Sequence, residues 1–212
     1  MDLVDFLFRS VLYLEGFALL IGLIFLYKYW KLPASLIVLY LAIVFGVELI
    51  NKDGVDNQWM YNLVVGSELI FLTIIFYFSV EDSVLKKIIL GLFASCLVFI
   101  VCDVLLITQT PYKFLIYAFG FESLCISIMC IVYLFEMTRT EKVLYQNRDL
   151  LYWICVGLLL FHMCNLPITV LSNNLFEFGD TFTLLSIQSI ASLAMYCCFI
   201  IGFIMSKWKY HI

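Results

Sequence analysis

Positive charge is scarce in this chain, histidine scarcer, and proline nearly absent: 12 Lys and Arg, two His and three Pro among 212 residues. Only 13% of the residues are charged, while 65% are hydrophobic and the mean hydropathy is +1.07. A soluble domain carries roughly twice that share of charge. A soluble globular protein is therefore excluded, and the lipid bilayer must act as solvent for most of the chain. A net charge of −4 with so few basic residues also argues against nucleic acid as a partner. The stretches outside the apolar runs, chiefly 51–60 and 137–150, are too short for a soluble module, so residues 1–212 are read as one membrane domain. The start, Met1 to Asp5, is acidic where a signal peptide is basic, and no small-residue cleavage site follows. The first apolar stretch is thus expected to remain as a helix. Cysteine is not lacking, but all eight fall inside apolar runs, where they serve as small packing residues and not as an exposed disulfide framework.

What the chain does have is seven apolar stretches near membrane length: 8–29, 34–50, 60–80, 88–107, 114–136, 151–171 and 182–204. Pro33 and Pro111 sit in short connections, whereas Pro167 lies inside the sixth span, where its missing N–H predicts a helix bend around Met163–Pro167. Lys28, Lys31, Lys86, Lys87, Arg139, Lys142, Arg148, Lys207 and Lys209 flank one side, while Arg9, Lys52 and Lys113 flank the other. Basic residues gather on the cytoplasmic side. The expected fold is therefore all-α, a polytopic integral membrane protein of seven transmembrane helices with the N-terminus outside and the C-terminus cytoplasmic. Trp30, Trp59, Trp153 and Trp208 fall at span ends, as interfacial aromatics do. The plasma membrane is the expected location.

Against this apolar background stand four carboxylates within spans: Glu15, Glu68, Asp103 and Glu122. A carboxylate at the bilayer centre costs about 2.5–3.5 kcal/mol on insertion scales. With the orientation above, all four come to a similar depth in the outer half, and Asn165, Gln188 and Glu48 arrive near the same level. Residues three, four or seven apart share a helix face. By that spacing Cys155, His162, Asn165 and Thr169 form one stripe, and Thr181, Gln188 and Ser192 another. Tyr61 pairs with Glu68 on the third span, and Glu122 with Tyr133 and Glu136 on the fifth. Any single stripe can be interhelical glue; acids at matched depth on four helices point to a shared polar pocket. Span interiors hold no Lys or Arg, and His162 is the one cation there, so the acids are expected to share protons or to bind a cation or amine. The candidate ligand- or proton/cation-binding residues are Glu15, Glu68, Asp103, Glu122, His162, Asn165 and Gln188, with Pro167 shaping the pocket by its bend.

Seven helices with an external N-terminus resemble the layout of heptahelical receptors and microbial rhodopsins. A retinal protein needs a Schiff-base lysine in the seventh helix, however, and here Lys207 and Lys209 follow it. Ceramidase- and adiponectin-receptor-type hydrolases hold zinc with several histidines; His162 with Cys155 offers too few ligands without carboxylate help. Rhomboid-like chemistry needs a serine paired with histidine, and Ser123 or Ser127 could serve, though no GxSx motif marks either. SWEET-type sugar transporters also run seven helices as two triplets around a linker. Glu15 and Glu122 match in depth here, as do Glu68 and Gln188, but that family's Pro-Gln signature is missing.

The resulting expectation is a membrane-embedded, receptor-like sensor, or the membrane subunit of a larger assembly, with an outward-facing carboxylate-rich pocket and no cofactor. A partner protein would dock at 137–150 and 205–212. The rival is a proton- or cation-coupled transporter of a small solute. An enzyme ranks third.

Overall fold

The computed structural model describes residues 3–51, 58–110, 112–140, 146–178 and 181–206, without the side chains of 3–5, 8, 170–178 and 181–182. Of the two stretches expected to dock a partner, 137–150 and 205–212, residues 141–145 and 207–212 lie outside the described residues. The helices are α1 (Leu3–Phe25), α2 (Leu36–Asn51), α3 (Gln58–Ser79), α4 (Ser83–Cys102), α5 (Ile116–Thr138), α6 (Leu150–Phe178) and α7 (Thr181–Met205). Among the described residues these seven are long and apolar enough to cross a membrane. A chain in lipid must satisfy every backbone N–H and C=O internally, which is why these apolar runs become helices.

The distribution of side chains is that of a membrane protein. Leu20, Leu23 and Ile24 of α1 and Val98, Val101, Leu105 and Leu106 on and after α4 are exposed. The buried set includes Glu15, Glu68, Asp103, Glu122, His162 and Asn165. A protein in water would reverse this placement.

Neighbouring helices close a ring in the order α1, α2, α3, α5, α6, α7 and back to α1, while α4 lies outside against α3 and α5. The seam between α6 and α7 is the closest. A Cβ on Gly157 would stand 3.0 Å from the Met195 carbonyl oxygen, and one on Gly202 would stand 2.8 Å from Trp153 Cβ. Small residues at such crossings let helix backbones approach in lipid, where packing rather than hydrophobicity drives association. Gly157→Leu should therefore push the two helices apart and destabilise the protein by about 1–3 kcal/mol, the usual cost of overpacking. Thermal unfolding in detergent measures this; an unchanged melting temperature would mean that the seam can yield.

Both ends of α5 are fastened by polar side chains. At its start, Asn62 of α3 donates through Nδ2 to the Lys113 carbonyl (2.8 Å) and accepts from the Leu115 N–H (3.1 Å). Gln58 accepts from the Phe114 N–H at 3.2 Å. At the other end, Glu136 accepts from the N–H groups of Glu81 and Asp82 at 2.8 and 2.9 Å, tying down the α3–α4 connection. Tyr133 donates to Asp149 at 2.6 Å, and Asp149 accepts from the Leu151 N–H as the cap of α6. After Cys102 the chain continues as a single π-helical turn, Asp103–Ile107, and leaves through Gln109 in the left-handed region at φ 55°.

The expected span ends shift where capping overrides hydropathy. α4 begins at Ser83, not 88, because Asp82 accepts from the Val84 N–H at 2.7 Å and starts the helix before the apolar run does. α6 runs to Phe178, past the expected 171. At 1.5 Å per residue it spans about 43 Å, more than the roughly 30 Å of a hydrocarbon core. The helix continues unbroken across Pro167, which is exposed, while His162 and Asn165 turn inward.

Candidate functional site

A cavity of about 360 Å³ lies between α1, α2, α3 and α7, toward the end of the bundle where α2 connects to α3. Its wall is mostly apolar, with Val11, Val44, Val47, Val64 and Leu185 among the lining residues. Each surrounding helix adds polar groups at helical spacing. α1 contributes Glu15; α2 contributes Tyr40 and Glu48, eight residues apart; α3 contributes Tyr61 and Glu68, seven apart. α7 contributes Gln188, Ser189, Ser192 and Tyr196. Phe114, Phe119 and Phe161 close one side. A mainly apolar cleft with a few polar groups is the usual form of a small-molecule site.

The polar groups are linked. Glu15, only 1% exposed, faces the Tyr196 hydroxyl, yet its Oε1 has no hydrogen bond among the described residues. Glu48 is a neighbouring carboxyl group. Tyr40 bonds across to Glu68. Among the described residues, no Lys, Arg or His lines the cavity.

Glu68 also belongs to a second polar layer behind the cavity wall. His162 Nε2 of α6 lies 3.3 Å from Glu68 Oε1, and His162 Nδ1 lies 3.1 Å from Ser123 Oγ of α5. Ser127 in turn donates to the Ser123 carbonyl at 2.8 Å. Which ring nitrogen carries the proton depends on the tautomer. Glu122, fully buried, is a carboxyl neighbour of Glu68, and neither of its oxygens makes a well-formed hydrogen bond. The buried Asn165 leaves its Nδ2 unbonded one turn along α6.

Ser123, His162 and Glu68 thus stand in the order of a nucleophile, a base and an acid. Ser123 is fully buried and does not line the cavity. A serine nucleophile needs space for a carbonyl and donors for its oxyanion; this row of polar contacts instead links α5, α6 and α3. Among the described residues no three His, Cys, Asp or Glu side chains are grouped to hold a metal ion.

The candidates therefore separate into three places. Glu15, Glu68 and Gln188 line the cavity, and Glu122, His162 and Asn165 sit on the helices behind it. Asp103 is elsewhere. Its Oδ2 accepts from the Ala118 N–H at 2.8 Å and its Oδ1 from the Thr108 hydroxyl at 2.6 Å, so its carboxylate joins the π turn after α4 to the first turn of α5. Glu48, near the end of α2 and not among the expected site residues, lines the cavity, as do Tyr40 and Tyr196. The signal for both tyrosines was present: Tyr40 is eight residues before Glu48, and Tyr196 is four after Ser192.

Comparison of the chain with protein-family models, with curated proteins and with solved structures returned no match.

Proposed function

We propose that this protein is a multi-pass sensor of the plasma membrane that binds a small solute in the cavity among α1, α2, α3 and α7 and signals through a partner on the cytoplasmic side. The observation that carries this reading is a cavity with buried carboxylates on one side and a dry core beneath it. One to two turns further along the same helices, Ala18, Ile37, Leu72, Phe76, Phe199 and Phe203 are fully buried and apolar. A solute can enter such a site and change the packing around it, and this apolar layer favours binding over passage. A proton-coupled transporter is the second reading, because Glu68 and His162 form a buried acid–base pair beside the cavity, a recurrent arrangement in coupled transport.

The two differ in a single measurement on proteoliposomes. A solute found by thermal-shift screening should bind saturably without accumulating, whether or not a pH gradient is imposed. Uptake driven by an inward proton gradient would replace the sensor with the transporter. At a hundredfold excess over Kd, binding should stabilise the protein by about 2.7 kcal/mol. Ser192→Trp, which puts an indole into the cavity from α7, should abolish that stabilisation and leave the unliganded melting temperature nearly unchanged.

The orientation follows the basic residues and is tested separately. A single cysteine at Tyr112, exposed between α4 and α5, should react with an impermeant maleimide added to whole cells, whereas one at Arg139 should react only after lysis. The opposite pattern would turn the cavity toward the cytoplasm.

A further inference from the structure

We infer that the ligand of this cavity is a small organic cation: a primary or secondary ammonium attached to an apolar group. The inference rests on the sensor reading above and names the class of solute. Glu15, Glu48 and Glu68 line the cavity, and among the described residues no basic side chain joins them. Glu68 already faces His162, which leaves the neighbouring pair Glu15 and Glu48 for the ligand. Glu15 Oε1 is buried at the wall and unbonded, an acceptor needing a donor. An unpaired buried carboxylate is costly, and an ammonium supplies charge and N–H donors together.

A bare metal ion fits less well. The carboxylates come from three helices and are not grouped at coordinating distance. Separated acceptors on a mostly apolar wall suit a molecule with a charged head and a hydrophobic body. Tyr40, Tyr61 and Tyr196 add aromatic rings around the carboxylates, and such rings attract a desolvated cation. A quaternary ammonium has no N–H for Glu15 and should bind more weakly than a primary one.

The test uses the full-length protein in nanodiscs at constant pH, with empty nanodiscs as the partition control. The probes are butylammonium, cyclohexylammonium and phenethylammonium, with 2-phenylethanol and 3-phenylpropanoate as the neutral and anionic counterparts of the last. At least one amine should bind saturably, and phenethylammonium at least tenfold more tightly than 2-phenylethanol, with no binding of the carboxylate. Glu15→Gln should weaken amine binding tenfold or more while leaving affinity for the alcohol unchanged. Glu48→Gln, at a half-buried position, repeats the test should Glu15→Gln fold poorly. If the alcohol or the carboxylate binds as tightly as the amine, or if both Gln variants bind amine normally, the cationic class is wrong. The cavity reading survives that result provided Ser192→Trp still blocks the alcohol. If none of the five probes binds, the inference falls; if library screening also yields no solute blocked by Ser192→Trp, the sensor reading falls with it.

Discussion

Replacing His162 with alanine should cost the bundle about 3–5 kcal/mol if the Glu68–His162 pair is ionised, because it strips a buried carboxylate of its partner. Glu68 is 3% exposed and His162 fully buried, with 3.3 Å between Oε1 and Nε2. The same substitution frees Ser123 Oγ, which loses the Nδ1 contact. If both groups are neutral, the loss is that of hydrogen-bond partners, about 1–3 kcal/mol. A double-mutant cycle with His162→Ala and Glu68→Gln separates the cases. An ionised pair should show coupling of about 2 kcal/mol or more, because Glu68→Gln removes the stranded charge and restores part of the lost stability. Reversible unfolding in mixed micelles gives the free energies. A cost below about 1 kcal/mol in the single variant would show that this layer holds α3, α5 and α6 together only weakly.

The effect matters for function because Glu68 belongs to both polar regions. On one side it lines the cavity, and on the other it meets His162. An occupant held by Glu15 and Glu48 lies beside Glu68 and so beside its contact with His162. The contact from cavity to α6 is therefore direct, one side chain thick, and α6 packs along α7 through the Gly157 and Gly202 seam. A physical route from ligand to helix packing requires an element with two arrangements. The Glu68–His162 contact, made or broken, is the candidate for that element.

How much of this was legible in the sequence differs from feature to feature. The spans were readable because lipid sets a length and a polarity that few other environments demand, and seven helices of that kind are present. Their ends were not, because hydropathy reports the width of the apolar window and is blind to caps such as Asp82. The burial of Glu15, Glu68, Asp103 and Glu122 was readable as a consequence of charge in lipid. Their separation into cavity, second layer and helix joint was not. Depth along a helix is a one-dimensional coordinate, whereas a site also needs the rotation of each helix and the identity of its neighbours. α4 lies outside the ring, and this alone removes Asp103 from the cavity despite the matching depth expected from the sequence. Ser123 facing His162 across α5 and α6 is of the same kind: two ordinary residues, 39 apart in sequence, joined by packing.

Asp103 should accordingly behave as a structural acid, and the choice of substitution shows it. Asp103→Ala removes the acceptor for the Ala118 N–H and the Thr108 hydroxyl at a fully buried position, which should cost about 2–4 kcal/mol. Asp103→Asn should cost less than about 1 kcal/mol, because an amide can meet both partners. Its oxygen accepts from Ala118 N–H, and its NH2 donates to Thr108 Oγ, whose hydroxyl rotates to accept. A group needed for its charge would not tolerate that exchange. Ligand affinity supplies the second axis: Asp103→Asn should leave amine binding unchanged, whereas Glu15→Gln should weaken it at least tenfold. If Asp103→Asn proves as damaging as alanine, the negative charge itself holds the start of α5, consistent with an anion at a helix N-terminus. If it alters ligand affinity with stability intact, the cavity extends its influence to the α4–α5 joint, and Asp103 belongs to the site after all.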